Sequence, residues 1–143
     1  MRILGLDVGE RRIGVALSDP LGLTAQRLTV LERSGGHAAD LDAVCALIDK
    51  HQVASVVVGL PLTMRGAHGP QAQRVSAFAQ ALRRQSAVPV QLVDERLTTV
   101  EGERALLATD ASRRKRKQVI DQVAAQLILQ HYLETQRAKG EQP

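Results

Sequence analysis

Residues 2–18 have the sequence RILGLDVGERRIGVALS, in which a short polar segment separates two apolar runs. Both runs, RILGLDV (2–8) and RIGVALS (12–18), have the length and apolar composition typical of buried β-strands. The Gly-Glu pair between them allows a tight turn. The stretch therefore predicts two adjacent antiparallel strands, and it places a carboxylate, Asp7, near the carboxyl end of the first.

Beyond residue 18, the sequence predicts one more antiparallel strand and then alternating helices and strands. The tetrapeptide DPLG (19–22) has Pro and Gly where turns use them, so a third strand over 24–31 completes a meander. Two later β-branched runs predict strands, and apolar residues at helical spacing predict helices. The predicted strands cover 53–60 and 88–93, and the predicted helices cover about 41–48, 70–82, 98–108 and 118–136.

This order of elements predicts an α/β fold. Two strand–helix–strand crossovers add parallel strands to the antiparallel meander. The result is a five-stranded mixed sheet in the order 3-2-1-4-5 with helices on both faces. The ribonuclease H-like fold has this order, and half of an actin-like ATPase shares it in part. We expect one domain over residues 1–137 and a C-terminal tail over 138–143.

The composition of the 143-residue chain excludes several classes of protein. A hydrophobic fraction of 44% is enough for a core and argues against disorder. Phe78 and Tyr132 are the only aromatic residues, which excludes aromatic base stacking as the main way of binding single strands. No apolar run approaches ~18 residues, so we expect no membrane span. The lone Cys45 excludes an internal disulfide or a cysteine-based zinc site and favours the cytoplasm.

The positive charge of the chain is concentrated in one segment. The net charge is +4, but residues 104–117 alone contain six basic residues and one acid, so the remainder is about neutral. A local basic patch indicates an anionic partner such as nucleic acid, and a solvated charge run is the simpler alternative. Cations at the amino end of a helix oppose the helix dipole and cost stability. This cost favours a role in binding phosphate over a neutral solvated run. The densest part of the segment is Arg113, Arg114, Lys115, Arg116 and Lys117.

Two carboxylates are predicted to meet at one edge of the sheet. Asp7 interrupts an apolar strand, where a carboxylate is costly to bury unless it is paired or metal-bound, although it can also bond to the turn. Glu95 follows the fifth strand, and parallel strands present ligands at their carboxyl ends. The fourth strand separates the two backbones by roughly 10 Å, and Gly59 leaves that gap open. Asp94 is the alternative to Glu95. Neighbouring side chains on a strand face opposite ways, so only one of the two is expected to point towards Asp7.

Asp121 is the third candidate. The residues from 119 to 128 are apolar nearly all round a helix, which indicates that the helix is buried. An aspartate within such a helix indicates a catalytic or metal-binding role. The alternative is an N-cap for a helix that begins at Gln122, but Val119 and Ile120 are already in phase with the apolar pattern.

Three converging carboxylates repel one another, and a hard divalent cation resolves that repulsion. Oxygen ligands suit Mg²⁺ or Mn²⁺, and two such ions clamp the attacking water and the leaving oxygen of a phosphodiester. Arg96, beside Glu95, is a candidate contact for a phosphate or a partner that orients the carboxylate. The histidines, at 37, 51, 68 and 131, are scattered and form no zinc pattern.

Four segments stand in order along the chain: LGLDVGERRIGVALSD (4–19), VVVGLPLTMRG (56–66), VQLVDERLTTVEGERAL (90–106) and KQVIDQVAAQLILQHYL (117–133). Together they resemble the YqgF, or RuvX, family, the Holliday junction resolvase-like pre-16S rRNA nucleases of bacteria. The resemblance implies a ribonuclease H-like fold, metal-dependent phosphodiester hydrolysis in the cytoplasm, and an acidic triad of Asp7, Glu95 and Asp121. The second segment departs from the family pattern, because Thr63 and Arg65 replace the usual Asn and Asp.

The leading hypothesis is a nuclease that processes the 5′ end of pre-16S rRNA. A Holliday junction resolvase, or another nuclease acting on branched or single-stranded DNA, shares the fold, and a resolvase needs a symmetric homodimer. A non-catalytic nucleic-acid-binding module would keep the basic patch and bind no metal. An actin-like ATPase is disfavoured, because 143 residues supply half of such a protein and no G-x-x-x-x-G-K-[ST] loop is present.

Neutralising Arg113, Arg114 and Lys115 together is expected to weaken the binding of nucleic acid without regard to base sequence. If these side chains contact phosphates, each lost contact lowers the slope of log K against log salt by up to about 0.7–0.9. Titrations of labelled RNA and DNA at several KCl concentrations measure this slope. A slope equal to that of the wild type would identify the basic run as a solvated surface.

Overall fold

A computed structural model of the chain describes residues 1–33, 36–62, 65–95 and 113–140. None of the helices in these ranges is both long enough and apolar enough to cross a membrane. The strands are β1 (Arg2–Val8), β2 (Arg12–Ser18), β3 (Ala25–Glu32), β4 (Val53–Leu60) and β5 (Val90–Asp94), and the helices are α1 (His37–Lys50), α2 (Pro70–Gln85) and α3 (Arg113–Gly140).

The five strands form one sheet in the order β3-β2-β1-β4-β5. β1 pairs antiparallel with β2, and β2 with β3, whereas β4 pairs parallel with both β1 and β5. This arrangement confirms the predicted mixed sheet and its order. It also brings the carboxyl ends of β1, β4 and β5 to the same edge.

The predicted boundaries agree closely with the structure in the sheet and differ from it in the last helix. β1, β2 and β4 cover the predicted residues, and α2 begins at Pro70 as expected. The last helix was expected from about Gln118, but α3 begins at Arg113, so the basic run forms its first turns. Arg and Lys are good helix formers, and this propensity carries the helix through the run. The predicted helix over 98–108 lies outside the described residues.

Alternating residues of the central strands divide the core between the two faces of the sheet. Leu4 and Leu6 of β1 pack with residues of α1 and α2, including Phe78. Ile3 of β1 lies on the other face and packs with residues of α3, including Leu129. We refer to these as the α1–α2 face and the α3 face.

The main chain of α3 packs unusually close to the sheet because glycines face it. A Cβ atom added at Gly14 would overlap the main-chain carbonyl group of Asp121. A Cβ atom at Gly5 would lie 2.8 Å from the Cβ of Leu129, and one at Gly59 would lie 2.5 Å from Cδ1 of Ile128. These contacts fix the height of α3 above β1, β2 and β4.

Replacing Gly14 by Ala is expected to destabilise the protein by about 1–3 kcal/mol or more, because a main-chain group rather than a flexible side chain occupies the space. Gly36→Ala is the control for a methyl group added without a clash, since its Cβ would lie 4.0 Å from the Cβ of Ala39, and its expected cost is only that of Ala in place of Gly at the N-cap of α1. Urea unfolding of both variants measures the change in the free energy of unfolding. A Gly14→Ala protein as stable as Gly36→Ala would contradict the close packing of α3.

Candidate active site

Asp7 lies at the carboxyl end of β1 on the α3 face. It alternates with Ile3 and Gly5, and it faces Gly14 across the antiparallel β1–β2 pair. Only 7% of its surface is exposed. The sequence therefore builds a carboxylate into the packed surface beneath α3, with a glycine as its direct neighbour on β2.

Glu95 directly follows β5 and is also buried, with 9% of its surface exposed. Its Oε2 atom lies 3.4 Å from the position that a Cβ on Gly59 would take. Asp94 pairs with Leu60, whose side chain belongs to the core of the α1–α2 face. Glu95 thus shares the α3 face with Asp7, whereas Asp94 lies at a position of the α1–α2 face.

Gly59 occupies the space between these two carboxylates. Leu6 pairs with Val58 in the parallel β1–β4 ladder, so the next position brings Gly59 beside Asp7. On its other side, Gly59 pairs with Val93 of β5. Any larger residue at this position would extend its side chain towards Glu95 and Ile128.

Asp121 lies in the interior of α3, which excludes its assignment as the N-cap of that helix. Its carbonyl group packs over Gly14, the cross-strand neighbour of Asp7. Its Oδ2 atom accepts a hydrogen bond of 3.2 Å from Nε of Arg12. The helix thereby brings a third carboxyl group to the same face and the same end of the sheet.

The sequence that forms this site matches the family RuvX, described as Holliday junction resolvase, over residues 1–135. The chain belongs to the RuvX family. A relative from Moorella thermoacetica, named "Putative pre-16S rRNA nuclease", is 58% identical over 134 residues, which are 94% of this chain and 95% of the relative. A relative of the same name from Pelotomaculum thermopropionicum is 49% identical over 136 residues, 95% and 88% of the two chains.

Solved structures agree with the topology of this RuvX-family chain. RuvC of T. thermophilus in complex with a Holliday junction substrate superposes with a TM-score of 0.61 and 15% identity, over 96% of both chains. A second structure of Thermus thermophilus RuvC superposes with a TM-score of 0.55 and 16% identity, over 96% of this chain and 97% of that one. The likeness confirms the ribonuclease H-like fold.

The donor set of the site is suited to a hard cation. Asp7 and Glu95 are buried carboxylates on one face, and Mg²⁺ is commonly held by one or two carboxylates together with water and substrate phosphate. Within the described residues, no three His, Cys, Asp or Glu side chains are grouped closely enough to hold one metal ion. The carboxylate of Asp121 is instead engaged by Arg12.

Arg12 is a site residue that the sequence analysis did not identify. Its side chain also approaches Glu32 of β3, with 3.9 Å between NH1 and Oε1. The strand alternation gives a signal, because Arg12 lies two residues before Gly14 and therefore on the α3 face. The pairing with Asp121 depends on where α3 crosses β2, which no local pattern encodes.

The predicted phosphate contacts fall largely outside the described side chains. Arg96 lies beyond the described range that ends at Glu95. The main chain of 113–117 forms the first turns of α3, and the side chains of these residues lie outside the described part of the structure. Their role in binding phosphate stays a prediction.

A double-mutant cycle on Arg12→Gln and Asp121→Asn is expected to give a coupling energy of about 0.5–3 kcal/mol, because the two groups are in direct contact and largely shielded from water. The exposed pair of Arg74 and Glu10, 3.4 Å apart, is the control and should give less than about 1 kcal/mol. Unfolding in urea without divalent cations supplies the four free energies of each cycle. Equal coupling in both cycles would refute a special role of Arg12 in holding Asp121.

Proposed function

We propose that the chain is a metal-dependent nuclease that hydrolyses phosphodiester bonds in the precursor of 16S rRNA. The observation that carries the proposal is the pair of buried carboxylates, Asp7 and Glu95, on either side of Gly59 at the carboxyl edge of the parallel strands. The names of the relatives support the rRNA precursor as substrate. The lone Cys45 and a ribosomal substrate both favour the cytoplasm.

Asp7, Glu95 and Asp121 are the residues proposed to hold Mg²⁺ or Mn²⁺. When bound, a pair of such ions supplies Lewis-acid stabilisation to the attacking and leaving oxygens of the phosphodiester. Asp7 is carried by β1, and Glu95 directly follows β5, so both side chains start from the edge of the sheet where a cation would be bound. Asp121 contributes its carboxylate by sharing or exchanging the hydrogen bond from Arg12.

The glycines beneath the carboxylates make room for α3. The positions that Cβ atoms would take on Gly14 and Gly59 lie against the main chain of Asp121 and the side chain of Ile128. These glycines let the helix that carries Asp121 lie close to the sheet that carries Asp7. Arg12 offsets the mutual repulsion of the carboxylates, because it brings a positive charge to Asp121.

The basic residues are proposed to position the nucleic acid. Arg96 follows Glu95 directly in the sequence, and the basic run forms the first turns of the helix that carries Asp121. Phosphate contacts of this kind orient a strand without reading its bases. The run consists of Arg113, Arg114, Lys115, Arg116 and Lys117.

A second candidate function is the cleavage of Holliday junctions, which the description of the RuvX family names. A four-way junction has two-fold symmetry, so a resolvase must present two sites in a symmetric homodimer. Measurement of the molar mass in solution, together with cleavage of matched RNA and four-way DNA, separates the two functions. A monomer that cleaves RNA and leaves the junction intact supports the rRNA function.

Replacing Asp7 by Asn is expected to lower cleavage more than about 100-fold, because it removes an anionic ligand while keeping the shape of the side chain. This expectation scales from the 10–100-fold losses seen when residues around metal ligands are changed. Asp49→Asn, at an exposed position of α1, is the matched control and should cleave like the wild type. Cleavage is measured on RNA with Mg²⁺, with Mn²⁺ and with EDTA.

A thermal melt gives a reading of the same site that is independent of catalysis. Mn²⁺ should raise the melting temperature of the wild type more than that of Asp7→Asn, because a native site stabilises by mass action. Undiminished cleavage by the wild type in excess EDTA would contradict the proposed metal dependence. Full activity of Asp7→Asn would contradict the assignment of Asp7.

A further inference from the structure

A basic cleft opens at the same edge of the sheet as Asp7, on the α1–α2 face. It has a volume of about 440 Å³ and is lined by the turn between β1 and β2, by the start of α1 and by the first turns of α2. Its charged lining residues include Glu10 and Arg11 of the turn, Arg33, and Arg74 of α2. We call this the turn cleft.

Arg33 is a structural part of the turn cleft. Its Nε atom donates to Oδ2 of Asp40 at 2.9 Å, and NH1 donates to the carbonyl oxygen of Gly9 at 2.6 Å. The guanidinium also lies 5.7 Å from the centre of the Phe78 ring. With its charge balanced by the buried Asp40, Arg33 supports the wall and the turn.

Arg11 and Arg74 are the cations that the turn cleft offers to a ligand. Arg11 is exposed and forms no ion pair within the described residues. Arg74 contacts Glu10 at 3.4 Å, but both side chains are more than 60% exposed, so water screens the pair and a stronger anion can replace it. Arginine presents a planar fork of donors that matches two oxygens of a phosphate.

The amino end of α2 adds to the positive potential of the turn cleft. α1 begins after Gly36 and α2 after Gly69, and neither helix has a side-chain hydrogen bond at its N-cap. The first turn of α2 contains no acidic residue. The first N–H groups of a helix and its dipole favour a nearby anion. At α2 they act in the same direction as the two arginines, whereas the first turn of α1 already contains Asp40.

The turn cleft lies close to the carboxylates but is separate from them. Val8 and Gly9, which line it, directly follow Asp7 in the chain. At about 3.3 Å per residue, the two sites are within roughly 10 Å of each other along the main chain. Val8 packs on the α1–α2 face, whereas Asp7 lies on the α3 face, so a strand held at Asp7 can cross the sheet edge to reach the turn cleft.

We propose that the turn cleft binds a backbone phosphate of the nucleic acid that lies next to the phosphodiester being cleaved, through Arg11 and Arg74. The inference rests on the proposed nuclease function. It adds a second phosphate contact, on the opposite face of the sheet from the helix that carries the basic run. Phosphate is the ligand because two arginines and the amino end of α2 converge there. A backbone phosphate is favoured over a free one because the cleft opens beside the proposed cleavage site.

The test compares Arg11→Gln, Arg74→Gln and the double variant with Arg84→Gln, which removes the same charge from an exposed position near the other end of α2. Binding of a single-stranded RNA oligonucleotide is titrated in EDTA at several KCl concentrations. Each cleft variant should lower the slope of log K against log salt by up to about 0.7, and the double variant should lower it further. Arg84→Gln should keep the wild-type slope.

Glu10→Gln provides a test with the opposite sign. It removes the carboxylate that competes for Arg74, so RNA should bind more tightly than to the wild type. Asp49→Asn removes the same charge at a distance and should leave the affinity closer to that of the wild type. Glu10→Gln that binds no more tightly than Asp49→Asn would contradict a phosphate contact at Arg74.

The outcomes separate this inference from the proposed function. A wild-type protein that cleaves RNA, with a double-variant slope equal to that of Arg84→Gln, overturns the turn cleft alone. A wild-type protein that cleaves neither RNA nor DNA overturns the proposed function. Melting temperatures with inorganic phosphate identify the source of the ligand. Stabilisation by phosphate that is lost in the double variant, combined with an unchanged RNA slope, would overturn the assignment to backbone phosphate.

Discussion

The packing of the α3 main chain directly onto Gly14 is the contact on which the candidate active site depends. It places the carbonyl group of Asp121 over the cross-strand neighbour of Asp7. Residues with a Cβ atom at this position would lift the helix and move Asp121 away from the strand edge. The main chain of α3 also lies close to Gly5, and the side chain of Ile128 lies against Gly59, so the helix is held along its length and not at one point. The small residues in the sheet thereby bring the main chain of Asp121 to the strand next to the one that carries Asp7.

This packing creates an electrostatic problem at the edge of the sheet, because buried carboxylates of like charge are brought to one face. The chain balances part of the charge with Arg12, which bonds to Asp121 across the β2–α3 contact. Arg33 performs the corresponding task on the other face, where it holds the buried Asp40 and the β1–β2 turn. The turn between β1 and β2 therefore lies between two charged regions, one acidic and one basic. The basic region suits a partner that carries phosphate groups, and the acidic region suits the divalent cation of the proposed reaction.

Much of the fold could be predicted from the sequence because its signals are local. The apolar runs around Asp7 and the turn residues that separate them predict the first strands, and short connections predict that β1, β2 and β3 are neighbours. The parallel strands β4 and β5 follow from the two helical crossovers. The helix begins at Arg113, five residues before the predicted start, because Arg and Lys are good helix formers and a helix tolerates cations at its amino end at a cost of about 0.3–1 kcal/mol each. Strand alternation requires Asp94 and Glu95 to face opposite ways, and the structure has Glu95 on the α3 face, beside Gly59. Which of the two binds a cation stays a prediction. The bond from Arg12 to Asp121 and the turn cleft depend on how distant elements pack, so no local pattern could reveal them.

The proposed nuclease function requires Asp7 and Glu95 together to bind a divalent cation on the α3 face. The most direct test is an anomalous difference map, at the manganese absorption edge, from crystals grown with Mn²⁺ and an RNA oligonucleotide that resists cleavage. The map is expected to show a manganese peak beside Gly59, within coordination distance of both carboxylates and of a phosphate oxygen of the RNA. RNA bound at this edge with no manganese at Asp7 and Glu95, or with manganese held elsewhere on the protein, would contradict the claim.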